Sequence, residues 1–374
     1  MIYLDYQATT PLAPEARAAM LPFLDETERA GFGNPHSAHR PGREARAAVE
    51  FARAQVAAPF GAGGRLVFTS GATEAINWAM KGVAAARPDR PRIVTIATEH
   101  AAVLDTAGWL ARQGRDVVVL PVDGEGLVDL DAAARAIDDT TAFVAAMLVN
   151  NEIGVIQPIA ELGAMARRAG AVMLCDAVQG YGRVAIPAAA CDLIAVSAHK
   201  IHGPKGIGAL WLRDGVAIEP LLHGGGQEAG RRSGTLAPML CAGFGAAAAV
   251  TRTRIDNDAA HVARLWRRVG EGLSGDWMLN GAANPRWPGN LNLRREGLDV
   301  ARLMAEVRGV AFSAGSACAS GSGRPSHVLA AIGLTDAEAR SSIRLGFGRY
   351  TTADEVDVAV AAIAQAADAQ RAWA

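Results

Sequence analysis

Arginine far outnumbers lysine in this chain, so each lysine bears inspection. Two stand close together in Val196-Ser197-Ala198-His199-Lys200-Ile201-His202-Gly203-Pro204-Lys205-Gly206. The short apolar run 192–196 ends there in small and polar residues, and glycines then force a turn. Such a design delivers an amine to the end of a sheet instead of to bulk water. An amine held there loses hydration, its pKa falls, and it can attack a carbonyl carbon to form a Schiff base. A surface lysine in a Gly/Pro loop is the plainer alternative. His199, Lys205 and the density of glycine weigh against it.

Other groups could meet that amine. Asp176 closes the apolar run 172–175, where α/β sheets bind ligands. A carboxylate there can hold a pyridinium nitrogen protonated, and Gln179 can donate to a ring oxygen; a helix N-cap is the competing role for Asp176. Lys200 follows one crossover and one strand later, so adjacent strands would aim both groups at one pocket. His100, in Thr98-Glu99-His100, also stands between a strand and a helix, as a candidate for stacking and for acid–base work near neutral pH. Asn150, in Asn150-Asn151-Glu152-Ile153-Gly154, follows a further strand. In Thr69-Ser70-Gly71-Ala72-Thr73-Glu74, free N–H groups at a helix start, with the hydroxyls of Ser70 and Thr73, make an anion cradle. Thr73 as an ordinary cap is the alternative.

Cys318 lies in Ser313-Ala314-Gly315-Ser316-Ala317-Cys318-Ala319-Ser320-Gly321-Ser322-Gly323-Arg324-Pro325, among small residues that cannot bury a thiol. It is the cysteine expected to be exposed and reactive, whereas Cys175 and Cys191 sit in apolar runs. Arg344, on an apolar strand, suits either a substrate carboxylate or a structural ion pair. His36/His39 and His199/His202 have i, i+3 spacing, but no third ligand stands at metal-site spacing, so no metal is expected.

These residues need a scaffold of alternating strands and helices. Helices are expected over 15–28, 43–60, 73–86, 101–113, 130–137 and 159–169, with strands over 65–69, 92–97, 117–120, 143–149, 172–175, 192–196 and 209–212. That alternation predicts a mainly parallel α/β sheet with helices on both faces. A long helix over 238–272 leads to a smaller α+β domain, with strands near 291–293, 310–313 and 343–347 and helices near 299–307, 325–332 and 353–369. The domains expected are 15–255 for the larger and 1–14 with 256–374 for the smaller, which carries the cysteine loop at about 313–325.

Composition narrows the function. The 374 residues suffice for two domains, and half are apolar. With 37 basic and 38 acidic residues the net charge is −1, which gives no basic field for nucleic acid. The four cysteines form no C-x-x-C pair. The N-terminus carries no charged and apolar leader, and no apolar run reaches spanning length. A cytoplasmic protein with reduced thiols and no membrane contact is expected.

Nine segments (3–11, 69–74, 98–100, 149–154, 176–179, 197–208, 223–235, 315–326 and 340–349) occur in the order of one known family. The chain resembles the pyridoxal-phosphate-dependent cysteine desulfurases with a long mobile cysteine loop, which have the fold-type-I transferase architecture. The resemblance implies pyridoxal 5'-phosphate as cofactor, with Lys200 carrying it and later moving the substrate Cα proton. It implies Asp176 on the pyridinium nitrogen, Gln179 on the phenolic oxygen, and His100 stacked on the ring as acid or base. Ala72, Thr73, Ser197 and His199 would hold the phosphate, with Thr235 lent to the partner subunit of a homodimer. Asn150, Arg344 and Asn34 would bind substrate. Cys318 would attack the sulfur of L-cysteine, giving an enzyme persulfide and alanine, and then pass sulfur to an iron–sulfur scaffold or a tRNA-thiolation relay. A transient touch of Cys318 on an iron–sulfur cluster is the only metal contact implied. Ala229 and His36 depart from the family pattern, as does Gly323-Arg324 before the loop proline, which leaves the acceptor open. A selenocysteine lyase or aminotransferase of the same fold, and a sulfur-relay scaffold without turnover, are the other readings.

Overall fold

The computed structural model describes residues 1–24, 31–315 and 326–371. From the N-terminus, β1 (Ile2–Tyr3), α1 (Pro14–Met20) and α2 (Arg40–Ala57) lead into an alternating region. It runs β2 (Gly64–Thr69), α3 (Ala72–Ala86), β3 (Arg92–Ile96), α4 (Ala101–Arg112), β4 (Asp116–Leu120), α5 (Leu130–Ala136), β5 (Thr141–Met147), α6 (Ile159–Ala169), β6 (Val172–Asp176), β7 (Leu193–Ser197) and β8 (Gly208–Arg213). The strands form one sheet in the order β2-β8-β7-β6-β5-β3-β4, parallel except for β8, which runs antiparallel to both its neighbours.

Both faces of this sheet are covered, as its near-continuous apolar runs require. On β5, Phe143 and Ala145 pack with the α3 and α4 side chains, whereas Val144 and Ala146 point into the core on the opposite face. The strand order reverses between β3 and β5, so their carboxyl ends diverge and open a crevice, the expected ligand position in such a sheet.

Helix α7 (Pro238–Gly272), 35 residues long, then leads to β9 (Met278–Leu279), β10 (Asn290–Arg294), α8 (Val300–Glu306), β11 (Val310–Ala311), β12 (Ser313–Ala314), α9 (His327–Ala331), α10 (Asp336–Arg340), β13 (Ser342–Gly346) and α11 (Ala353–Arg371). A second, antiparallel sheet has the order β12-β13-β10-β9. The N-terminal strand β1 joins this part of the molecule by pairing in parallel with β11, and Asp5 bridges to Gly346. The following residues, Tyr6 to Thr10, return to the large sheet, where Thr10 N donates to His199 O at 3.0 Å.

Three expectations change. The helix expected over 15–28 is α-helical only to Met20 and tightens into a 3₁₀ turn over Leu21–Phe23. Pro22 explains this, since its ring lacks an N–H and crowds the preceding turn. Residues 25–28 lie outside those described. The helix expected from 43 starts at Arg40, with the His39 ring accepting from Gly42 N and Pro41 in the first turn. The strand expected over 310–313 is two strands in different sheets, β11 beside β1 and β12 beside β13, separated by the buried Phe312.

Gly208 lies between Thr69 on β2 and Ser197 on β7. A Cβ built there would stand 2.7 Å from the carbonyl carbon of Gly71 and 2.7 Å from Val196 O. Only glycine lets the start of α3 sit this close to the sheet. Gly208→Ala is expected to lower stability by about 1–3 kcal/mol, read as a fall in denaturation midpoint, because backbone and not a flexible side chain must move.

Candidate active site

A cavity of about 620 Å³ opens where the strand ends diverge. Lys200 sits in the 3₁₀ turn that follows β7, and its Nζ donates to Gln7 O at 2.6 Å and Ala8 O at 2.8 Å. The returning N-terminal segment therefore both walls the cavity and seats the amine.

Asp176 is the last residue of β6 and is buried. Its Oδ1 accepts from Val178 N at 2.9 Å, and no helix follows, so it is not a helix cap. Burial raises its pKa, opposed by that hydrogen bond and by His100 and Lys200. His100 is the N-cap of α4, its Nδ1 accepting from Ala102 N at 3.0 Å, which leaves the ring proton on Nε2. Burial lowers the His100 pKa; Asp176 opposes this, and Lys200 and His327 add to it. Lys200, Asp176 and His100 line the same cavity.

At the start of α3, Gly71 is the N-cap and no side chain caps the helix, so Thr73 is not the cap. The first N–H groups of α3, with Ala72 and Thr73, border the cavity beside Ser197 and His199. Glu74, in the first turn, takes the Ser70 N–H at 2.7 Å and pairs with Arg232 at 2.8 Å. His199 shares a 3.2 Å hydrogen bond between Nδ1 and Thr9 Oγ1. Burial, reinforced by Lys200, Lys205 and Arg183, pulls its pKa down to about 4, so at neutral pH it is an uncharged partner.

Gln179 Nε2 donates to Gln7 O at 2.9 Å, and its Oε1 accepts from Arg183. Arg344 is buried on β13, where it pairs with Asp5 at 2.7 Å, the structural role expected of it, and also lines the cavity. Its NH1 donates to Asn151 O at 3.0 Å, while its buried Nε has no partner.

Asn150 differs from expectation. Its Nδ2 donates to Thr98 O at 2.8 Å, and its Oδ1 accepts from Glu152 N and Ile153 N at 2.8 and 2.9 Å. Those bonds shape the turn after β5 and hold Asn150 out of the cavity, which Asn151 lines instead, with a buried Oδ1 lacking a partner. Asn34 is also outside it; its Oδ1 accepts from His36 N at 2.9 Å. Thr235 is exposed, away from its own chain's cavity. Cys318 lies outside the described residues. The described residues on either side of it are hydrogen-bonded. Gly315 N donates to Ser342 O at 2.7 Å, Ser326 Oγ donates to buried Glu152, and the His327 ring meets Glu99 O at 2.8 Å.

Sequence reasoning missed the carbonyls of Gln7 and Ala8 as site groups, because nothing in a backbone oxygen marks it. It missed Arg183, whose signal was its place four residues after Gln179. It also missed Glu99 as a chemical group. That carboxyl is fully buried, with Oε1 on Met147 N at 2.7 Å and Oε2 unpartnered; burial, then the nearby Asp176, raises its pKa well above the usual range.

The donor set fits pyridoxal 5'-phosphate. An amine and a buried carboxyl face one cavity, and an uncapped helix start with neutral hydrogen-bonding side chains suits a phosphate. Among the described residues no group of three His, Cys, Asp or Glu side chains is placed to hold a metal.

Comparison with known proteins gives a consistent set of matches. A family model described as aminotransferase class-V matches residues 2–358. The cysteine desulfurase IscS of Rickettsia rickettsii (strain Iowa) is 44% identical over 381 aligned positions, covering 99% of this chain and 92% of that one. A solved NifS-like protein superposes with a TM-score of 0.90 at 33% identity, covering 97% of this chain and 98% of its own. A structure described as SspA in complex with cysteine gives 0.82, also at 33% identity, over 94% and 100% of the two chains.

Two predictions follow from this geometry. Asn150→Ala leaves two N–H groups and a carbonyl without partners and is expected to cost about 2–4 kcal/mol of stability; Asn151→Ala is expected to cost under about 1 kcal/mol in the same denaturant titration. The second concerns pH. Burial brings the pKa of His202, like that of His199, down to about 4. The ordinary histidine value is about 6.5. Below that value the unfolded chain takes up protons the folded chain refuses, so stability falls as pH drops from about 6.5 toward 4. His202→Asn, which tolerates the left-handed backbone at this position (φ 67°), is expected to flatten that acid limb in melting curves.

Proposed function

The chain belongs to the aminotransferase class-V family, and we infer from its cavity how it acts: it is a cysteine desulfurase that uses pyridoxal 5'-phosphate. The observation that carries the residue assignments is the convergence of Lys200, Asp176 and His100 on one cavity beside the uncapped start of α3. The substrate is L-cysteine and the carbon product is L-alanine. Bound cofactor supplies an aldehyde that takes up amines and a ring that accepts the electron pair released at the substrate carbon.

The chain's own residues divide the remaining work. The α3 N–H groups, Thr73, Ser197 and neutral His199 bind the phosphate, with Thr235 supplied by a second copy in a homodimer. Asp176 holds a proton on the ring nitrogen; pairing with that cation stabilises its ionised form against the burial that otherwise neutralises it. Gln179 donates to the ring oxygen. Lys200 anchors the cofactor and then carries the substrate Cα proton, with His100 as the second acid or base. Arg344 binds the substrate carboxylate, and its unpartnered Nε supports this. Asn151 takes the role first given to Asn150.

The Cys318 thiolate attacks the substrate sulfur. A sulfur–sulfur bond forms, the carbon–sulfur pair stays with the substrate carbon, and protonation there releases alanine. The described residues on either side support this reading: Ser313 Oγ accepts from Arg344, which lines the cavity, and the His327 ring meets the carbonyl of Glu99, next to His100. We propose residues 15–255 as the cofactor-holding domain and 1–14 with 256–374 as the lobe that brings the thiol; the pairing of β1 with β11 supports that split. An iron–sulfur scaffold is the proposed acceptor and the cytoplasm the proposed location. Among the described residues no helix is long and apolar enough to cross a membrane.

Incubating the holoenzyme with L-cysteine should release alanine and leave one additional sulfur on the peptide containing Cys318, as read by mass spectrometry. Lys200→Ala is expected to abolish alanine release, and normal turnover by that variant would refute the assignment. Cys318→Ser should retain the visible absorbance of bound cofactor and lose persulfide. Sulfur transfer at the parent rate by Cys318→Ser would assign the nucleophile to another thiol.

A further inference from the structure

Arg183 reaches the inner wall of the cavity without lining it. One nitrogen donates to the carbonyl and side-chain oxygens of Gln179; the other donates to Lys200 O at 2.9 Å and Tyr6 O at 3.5 Å. One planar group thus joins the turn after β6, the residue bearing the amine and the N-terminal segment. Among the described residues no carboxylate lies within ion-pairing distance of it.

We propose that Arg183 is a positioning residue, which fixes the end of the Gln179 amide that faces the cavity and holds an uncompensated positive charge behind the cofactor's ring oxygen. This rests on the reading of Gln179 as donor to that oxygen. A guanidinium has donors only, so the Gln179 atom that meets it must be the oxygen. The amide nitrogen then points the other way. One of its hydrogens goes to Gln7 O at 2.9 Å, and the second is left for the cavity that Gln179 lines. Without Arg183 the amide could turn over and present an acceptor to an anionic oxygen.

The charge acts in the same sense. Burial brings the Arg183 pKa to about 10, so it is still a cation at neutral pH. The titratable groups around it are Lys200, Tyr6, His199 and His202, and the cleft it lines also holds Asp258, which is paired with Arg349 at 2.8 Å. Both histidines are held neutral, in part by Arg183 itself. Asp176 and His100 also line the cavity. Lys200, with Arg183 behind it, places positive charge beside Gln179. A cation at that position disfavours the more protonated state of the bound chromophore, so its removal raises the pH at which the chromophore titrates.

The test is a pH titration of the visible absorbance of the purified holoenzyme, without substrate, for the parent, R183M, R183K, Q179A and the R183M/Q179A double variant. Affinity for pyridoxal phosphate and melting temperature are measured alongside. R183M is expected to raise the midpoint by about 1 pH unit and to weaken cofactor binding several-fold. R183K, which keeps the charge and loses the fork, is expected to fall between. Q179A should also raise the midpoint, and the double variant should go no further than the larger single change, because the two act through one contact. A moved midpoint in Q179A with none in R183M or R183K overturns the role of Arg183 and leaves that of Gln179 standing. No shift in Q179A removes the reading of Gln179 and this inference with it. Additive shifts in the double variant overturn the coupling between the two residues.

Discussion

The amine of Lys200 is held against two backbone carbonyls, and the arrangement of the site depends on that contact. Gln7 O and Ala8 O belong to a segment that pairs with β11 before it crosses to the larger sheet. The carbonyl of Gln7 also accepts from Gln179. A carbonyl cannot be titrated away, so these contacts orient the amine without adding charge to a cavity that already holds several ionisable groups. The same segment supplies Asp5 to Arg344. The placement of the amine and that of the Arg344 guanidinium thus share one support.

Desolvation governs the chemistry of the other groups. Burial drives His199 and His202 neutral, lifts the carboxyls of Asp176 and Glu99, and pushes the thiol of Cys241 up to about 12. Cys175 is raised as well, chiefly through its hydrogen bond to Cys191. The three described cysteines are buried, and the thiols of Cys175 and Cys241 stay protonated at neutral pH. A reactive sulfur must come from elsewhere in the chain, which agrees with the role proposed for Cys318. The phosphate site proposed at the start of α3 works the same way, with helix N–H groups and neutral side chains in place of a cluster of fixed charges.

The sequence made the architecture legible because its strands are buried on both faces and its helices are long. The ends of β6 and β7, which present Asp176 and Lys200, could be located from apolar runs closed by polar residues. What escaped was set by contacts across the chain. Asn150 and Asn151 are equivalent as letters, and only the hydrogen bonds of the turn decide that the first is structural and the second faces the cavity. The run 310–313 reads as one strand because hydropathy carries no record of which neighbour each residue meets. Helix α10 carried a legible signal that went unused, since Thr335 and Glu338 form a complete capping box. Arg183 was not singled out in the sequence, because its value comes from the three segments it ties together.

The path of the N-terminal segment also limits how this molecule can be recombined with its relatives. Its first residues pair with a strand from the last third of the chain, yet its seventh and eighth seat the amine that follows β7. A chimaera joined at a single point in α7 would separate β1 from its native β11 partner and Asp5 from its native Arg344. A graft of residues 273–374 would have to bring residues 1–10 with it as a second insert, and the junction would need to preserve the backbone oxygens at positions 7 and 8, whatever side chains they carry.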